Sequence, residues 1–355
     1  MDNIESILSD FKNGKMVILV DDEDRENEGD LILASDFVSP ENINFMVKEA
    51  RGLVCMTLTA QKARELRLPL MVGQSANNSP NQTAFTVSIE ASSGISTGIS
   101  ASDRSHTIEV ANKKGATEAD IIMPGHIFPI RAEDGGVLKR AGHTEASVDL
   151  AKMSGLSPSA VICEIMNEDG TMARVPELKV FAEKHNLKIG TIADLISFRL
   201  ENESFVEFVE EVSFSSPLLT GFSLKKFVNK MNNQMHYAFV KGTPSKDAVT
   251  TVRMHKQNSL QDVFGLNGGN DVIARAFKAL QDCECGVFVY IGGQEGSKGR
   301  KDKDMEKRDY GVGAQILSSL GCGRLNLLNR KPSSKLIGLK GFGLEIVDSI
   351  SLEKY

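Results

Sequence analysis

The sequence predicts an α+β fold in two units, a mixed-sheet α/β N-terminal unit followed by a second α+β unit. Three observations carry this. Apolar runs of strand length mix irregularly with stretches of helical period, which argues against a purely parallel, strictly alternating sheet. The chain has 355 residues, 41% hydrophobic and 25% charged, enough for two cores of ordinary size. Composition shifts near residue 200, where acidic Glu201–Glu211 and the stretch Ser213–Pro217 mark a boundary, so the units are placed at 1–203 and 204–355.

In chain order, Ile4, Ile7, Leu8 and Phe11 mark an amphipathic first helix that closes near Gly14. Met16–Val20 is a strand, and Leu31–Ala34 is the strand after the acidic loop. Ser39-Pro40-Glu41 starts a helix with an N-cap hydroxyl, a first-position proline and a first-turn carboxylate. Leu53–Thr59 and Phe85–Ile89 read as strands, with Thr59 capping a helix through Leu66. Ser92–Ser102 is a donor-rich loop, and a helix follows around Asp103–Asn112. Met123–Ile130 and Gly136–Lys139 read as short strands, Thr144–Met153 as a helix, and Ala160–Met166 as a buried strand. Pro176–Asn186 and Thr191–Leu200 are helices. Beyond the boundary, Tyr237–Val240, Val249–Met254 and Gly286–Ile291 read as strands, Val272–Leu280 and Gly313–Leu320 as helices, and Gly296–Asp309 as a mixed-charge loop.

Bulk properties exclude some functions. A net charge of −6 and the absence of Trp disfavour a nucleic-acid surface. No apolar run reaches the roughly 18 residues of a membrane helix. Met1–Asp10 is acidic without the apolar core of an export signal, and five Cys in such a chain suit a reduced cytoplasm.

The densest chemical signal is Val20–Asp30, with seven carboxylates and one Arg in eleven residues between two apolar runs. Such a run is either a solvated acidic loop or a site for a hard divalent cation. Its place between strands, the central Arg25 and the terminal Gly29 favour the site. The second signal is Arg140-Ala-Gly-His-Thr-Glu-Ala-Ser-Val-Asp149. Gly142 permits a close approach, Thr144 is placed to cap the following helix, and the helix amides with Arg140 make a phosphate cradle. His143 either ligates a metal or caps the helix. His126, between turn residues, is an acid/base or a satisfied loop residue. Glu164, inside an apolar strand, needs a partner or a raised pKa. Cys55 reads as a core thiol.

These motifs resemble the 3,4-dihydroxy-2-butanone 4-phosphate synthase family of riboflavin biosynthesis over about residues 3–200. The resemblance rests on Asp21–Asp30, Ser96–Arg104, Pro124–Arg131, Gly135-Gly-Val-Leu138 and Arg140–Leu150, in the expected order. It implies conversion of D-ribulose 5-phosphate to 3,4-dihydroxy-2-butanone 4-phosphate and formate with Mg2+ or Mn2+, through proton removal, enediol formation, loss of water, a skeletal shift and release of formate. It implies Glu26 and His143 as metal ligands. Arg25, Glu26, Asp30, Arg140, Ala141, Gly142, His143, Thr144 and Glu164 become substrate contacts, and His126, Glu164 and Asp30 catalytic residues. It also implies a homodimer with active sites at the subunit interface.

The second unit resembles GTP cyclohydrolase II through Arg253-Met-His255, Asp262-Val-Phe-Gly265, Asp309–Leu317 and Gly338–Val347. That family's zinc takes three thiolates. Here Ser259 and Gly268-Gly-Asn270 stand at their places, and Ser, Gly and Asn do not replace thiolates on zinc. Cys283 and Cys285 lie past the expected place, and the nucleotide segment reads Glu295-Gly-Ser-Lys298. The expectation is a retained fold with no zinc and without GTP ring opening.

Overall fold

The computed structural model describes residues 1–23, 25–73, 76–216, 219–230, 232–266, 269–292, 307–329 and 342–354, with the side chains of 269–270 and 307–309 outside that description. Two compact units divide between Phe198 and Arg199.

The first unit is a seven-stranded mixed sheet. Its strands are β1 Val17–Val20, β2 Gly29–Ala34, β3 Cys55–Leu58, β4 Ile89–Ala91, β5 Ile121–Arg131, β6 Ser159–Glu164 and β7 Lys188–Thr191, in the spatial order β4-β5-β3-β6-β2-β1-β7. The helices are α1 Ile4–Lys12, α2 Pro40–Phe45 with a π-helical turn Met46–Ala50, α3 Ala60–Glu65, α4 Ala101–Asn112, α5 His143–Met153, α6 Val175–His185 and α7 Ile192–Asn202. Ser39 and Thr59 cap α2 and α3 through their hydroxyls, as the sequence reading expects.

The central strands are buried on both faces, so their apolar residues run on without polar alternation. Ile18, Val20, Leu31, Leu33 and Val161 face one core with Ile43, Met46, Ile108 and Leu178. Val17, Leu19, Ile32, Cys55 and Ile162 face the other, with Ile4, Ile7, Phe11 and Leu150. A period of two therefore puts Leu19, Asp30 and Glu164 on the second face, beneath the start of α5.

Register sets their level. Leu19 pairs with Asp30, and Asp30 pairs with Glu164. Cys55 pairs with Phe128 on β5 and with Ile162 on β6. A transverse row thus runs from Glu164 through Asp30 to Leu19.

Three local expectations differ. Gly136–Leu138 is a 3-10 turn rather than a strand, because Gly135 and Gly136 take φ of 103° and 63°, which a strand does not allow. Phe85 makes only an isolated bridge to Ile130, and the regular strand starts at Ile89. The cap of α5 is Gly142, with Thr144 one turn position inside the helix, so Thr144 is not the cap.

The second unit holds another seven-stranded mixed sheet, order β14-β13-β11-β12-β10-β9-β8. Its strands are β8 Val206–Val212, β9 Phe222–Asn229, β10 Gln234–Lys241, β11 Val249–Lys256, β12 Gly286–Ile291, β13 Arg324–Asn329 and β14 Glu345–Ser351. Helices α8 Ser259–Phe264, α9 Gly269–Gln281 and α10 Lys307–Ser319 complete it, around a core of Phe222, Phe288, Ala276, Leu280 and Leu328. Most of the mixed-charge stretch 296–309 lies outside the described residues.

Candidate active site

The acidic loop folds around Asp21. Its side chain is 1% exposed and accepts from Arg25 at 2.6 Å, from the Glu28 amide at 2.9 Å and from the Glu26 amide at 3.3 Å. Arg25 also donates to Glu26 at 2.5 Å, so one guanidinium joins two carboxylates that would otherwise repel. Arg174 donates to the backbone carbonyls of Glu26 and Asn27, where the chain turns through a φ of 54° at Asn27. The dense charge is therefore ordered by two arginines from two elements. Asp24 lies outside the described residues.

Helix α5 brings the second half. His143 is its first residue, and its Nε2 donates to the Leu19 carbonyl at 3.1 Å. A carbonyl only accepts, so this bond puts the proton on Nε2 and leaves the Nδ1 lone pair free for a ligand. Nδ1 lies 3.8 Å from Asp30 Oδ1 and 4.0 Å from Glu26 Oε2. Burial lowers the His143 pKa and so favours the neutral, ligating ring. Ligand atoms of Asp21, Glu26 and His143 lie within 4.8 Å of one another. Asp30, 3% exposed, offers Oδ1 with no hydrogen-bond partner among the described residues. Burial, then the neighbouring Glu164, Glu26, Glu28 and Asp21, pushes its carboxyl well above the usual range. A buried unpartnered oxygen beside two carboxylates and a free imidazole nitrogen fits a hard divalent cation.

The phosphate cradle is equally concrete. Gly142 has an extended backbone, and a Cβ there would fall 2.6 Å from Arg140 and 3.0 Å from Arg25. Two guanidinium groups thus converge on the N-terminal amides of α5, a site made for an anion. Arg140 is held by Glu145 at 2.7 Å, by the Asn81 carbonyl and by Thr83 at 3.1 Å. Asn81 also donates to Glu26 at 2.7 Å and ties the two halves together. Glu145 is buried, which raises its pKa even with Arg140 beside it.

The structure brings Arg25, Glu26, Asp30, Arg140, Gly142, His143 and Glu164 to one end of one sheet face. Glu164 receives the Leu53 amide at 2.8 Å and lies opposite Asp30. Ala141 stands between Arg140 and the Gly142 cap. Thr144 is buried at the second helical position, where its carbonyl takes the Ser147 hydroxyl at 2.9 Å. His126 lies on β5, two strands from the β6 of Glu164, and its bonded partner is Glu90. Cys55 is 1% exposed with its pKa pushed up by burial, an inert core thiol. The sequence reading missed Asn81, Glu90, Glu145 and Arg174. Asn81, Glu90 and Arg174 act through partners distant in sequence, whereas Glu145 meets Arg140 within one motif and the capping pair Arg174/Glu177 is also local.

Comparison with known proteins assigns the family. The family model described as 3,4-dihydroxy-2-butanone 4-phosphate synthase matches residues 5–198, and that of GTP cyclohydrolase II matches 207–303 and 297–351. A 3,4-dihydroxy-2-butanone 4-phosphate synthase of Neisseria meningitidis serogroup A is 48% identical, covering 99% of this chain and 98% of that protein. Riboflavin biosynthesis protein RibBA of Synechocystis is 45% identical, covering 99% of this chain and 67% of that protein. The crystal structure of RibBX, a two-domain 3,4-dihydroxy-2-butanone 4-phosphate synthase from A. baumannii, superposes with a TM-score of 0.83 at 44% identity, covering 99% of this chain and all of that one. A synthase crystallised with two magnesium ions is 40% identical, covering 57% of this chain and 98% of that one, with a TM-score of 0.54. The chain belongs to the 3,4-dihydroxy-2-butanone 4-phosphate synthase family of riboflavin biosynthesis, in a form that carries a GTP cyclohydrolase II-like second domain.

Proposed function

We propose that residues 1–203 convert D-ribulose 5-phosphate to 3,4-dihydroxy-2-butanone 4-phosphate and formate, and that residues 204–355 no longer open GTP. The observation that carries the first half is the convergence of Arg25, Arg140 and the α5 amides on one side of His143, with Glu26, Asp21 and Asp30 on the other. A phosphorylated sugar needs both.

Glu26 and His143 hold the cation, with Asp21 close enough to join them. Mg2+ or Mn2+ bound there supplies positive charge beside the sugar carbonyl and so acidifies the neighbouring C–H. The residues do the rest. Arg25, Arg140, Ala141, Gly142 and Thr144 fix the phosphate end. Asp30 and Glu164, paired across β2 and β6, are the adjacent carboxyls that accept and return protons, and Asp30's raised pKa suits it to hold a proton that an ordinary carboxylate would release. His126 serves a later proton transfer. The working form is a homodimer with sites at the subunit interface, and the five free cysteines suit a cytoplasmic enzyme.

For the second half, Ser259 opens α8 where the cyclohydrolase family has a thiolate. Gly268 and the Asn270 side chain lie outside the described residues, and so does the Glu295–Lys298 segment. His255 is instead bonded to Asp262 at 2.9 Å, which takes the Tyr290 hydroxyl at 2.8 Å, a closed structural network. No helix among the described residues is long and apolar enough to cross a membrane.

A paired assay tests both halves. Ribulose 5-phosphate with Mg2+ yields formate, and GTP with Zn2+ or Mg2+ yields neither formate nor pyrophosphate. Absence of formate from the sugar overturns the first half, and pyrophosphate from GTP overturns the second.

A further inference from the structure

We propose that Glu90 is a positioning residue for His126: its carboxylate holds the imidazole by Nδ1 and so presents the Nε2 lone pair as the working proton acceptor. The proposal rests on His126 acting in the reaction above.

The pairing of β4 with β5 is irregular at this point. Ile89 lies opposite Ile127, but Glu90 lies opposite Ile122. Residues 123–126 therefore have no partners on β4, and the strand throws them out as a bulge. Bulges re-aim side chains, and this one turns His126 back onto Glu90. Glu90 Oε1 and His126 Nδ1 are in direct contact. A carboxylate only accepts, so Nδ1 carries the hydrogen and a neutral ring has its lone pair on Nε2.

The backbone closes on this pair from two sides. Gly98 has a φ of +86°, and a Cβ there would strike the Glu90 carboxylate and lie 2.8 Å from His126 Nδ1. A Cβ at Gly125 would strike the backbone of Ile89. The loop carrying Gly98 is itself pinned, because Asp103 on α4 accepts from the Ser96 hydroxyl at 2.7 Å, the Gly98 amide at 3.0 Å and the Ser96 amide at 3.1 Å. The Ser96 hydroxyl bond leads in drawing the Asp103 pKa down to about 2, so this charged neighbour keeps one state across the working range.

Exposure separates the two roles. The Glu90 side chain is 12% exposed and that of His126 is 45%. An inner carboxylate anchors the ring, and the outer edge stays open to a substrate. The design repeats what the Leu19 carbonyl does for His143, with the opposite nitrogen left free.

The experiment compares full-length wild type, Glu90→Gln and Glu90→Asp, with His126→Asn to assign the ring signals. Long-range 15N spectra of the imidazoles read the tautomer, steady-state kinetics with ribulose 5-phosphate and Mg2+ read kcat, KM and the pH profile, and Mg2+ titration serves as control. In wild type the neutral His126 ring shows the Nδ1–H tautomer. In Glu90→Gln kcat falls about 10- to 100-fold, with KM and Mg2+ affinity within about threefold. Glu90→Asp recovers part of kcat. An Nε2–H tautomer in wild type overturns the proposal, and so does a loss of activity in Glu90→Gln with unchanged tautomer. If Glu90→Gln fails to fold, the wild-type tautomer decides alone. Wild type that makes no formate but shows the Nδ1–H tautomer refutes the synthase reading and leaves the Glu90–His126 geometry intact.

Discussion

Asp30 in the first unit and Gln315 in the second are both less than a tenth exposed, yet they are treated in opposite ways. Gln315 on α10 is saturated. Its oxygen accepts the amides of Phe205 and Val206 at 3.0 and 3.2 Å, and its nitrogen donates to the carbonyls of Leu200 and Glu203 at 3.1 and 2.5 Å. Asp30 keeps an oxygen without a partner among the described residues and stands among four other carboxyls. A satisfied buried polar group holds a fold together. One that is left wanting, with its charge opposed by its neighbours, is held for a ligand. Of these two residues, the one in the first unit is kept for chemistry and the one in the second for structure.

The sharpest break of that contrast is Glu26→Gln or His143→Ala. Either lowers kcat/KM for ribulose 5-phosphate by at least about 10³-fold, roughly 4 kcal/mol of transition-state stabilisation, and weakens Mg2+ binding measured by titration. Cys283→Ser with Cys285→Ser, the remaining Cys-x-Cys of the second unit, leaves the same kinetics unchanged. Equal losses from both changes would erase the division of labour.

Gln315→Ala reverses the experiment. Four backbone groups lose their partner, and the second unit is destabilised by about 2–3 kcal/mol in chemical denaturation. Synthase kinetics stay at the wild-type level, because the first unit has its own sheet and two cores. A synthase activity that falls in step with the second unit's unfolding would show that the first unit does not stand alone.

Arg174→Ala has a smaller effect. It frees the carbonyls of Glu26 and Asn27 but removes no ligand atom. KM for the sugar and the apparent Mg2+ constant rise about tenfold, with kcat reduced less than threefold, as expected for one lost charge-assisted clamp. A loss confined to kcat would contradict a purely ordering role.

Much of this was legible in the sequence where signals are local. The acidic loop, Arg140, Gly142 and His143 stand out because each motif is contiguous and abuts an apolar run. The facing of Asp30 and Glu164 was not legible, because a register 134 positions apart depends on which strands pair. Glu90 and Asn81 look like ordinary polar residues until a bulge and a loop fold them onto His126 and Glu26. In the second unit β8 and β9 escape sequence reading. Their charges, Glu207, Glu210, Lys225 and Lys226, sit on an edge hairpin where cross-strand ion pairs such as Lys226–Glu210 replace apolar alternation.

The finest test of the contrast is the stability of metal-free Asp30→Asn as a function of pH. Asp30's folded pKa is raised, chiefly by burial. At a pH between the ordinary carboxylate value of about 4 and the folded value, the folded chain holds a proton that the unfolded chain has released. Folding then binds protons, so this group's contribution is full at low pH and is lost as pH rises through the folded pKa. Asn carries no such penalty. The melting temperature of Asp30→Asn should match wild type near pH 4, exceed it increasingly as pH rises, and level off once Asp30 ionises in the fold. Mg2+ should close the gap, because the cation stabilises the charged carboxyl that Asn lacks. Gln315→Ala has no titrating group and should show a deficit that is flat over the same range. A pH-independent difference for Asp30→Asn would mean that its unpartnered oxygen costs the fold nothing, and the distinction between the two interiors would lose its energetic basis.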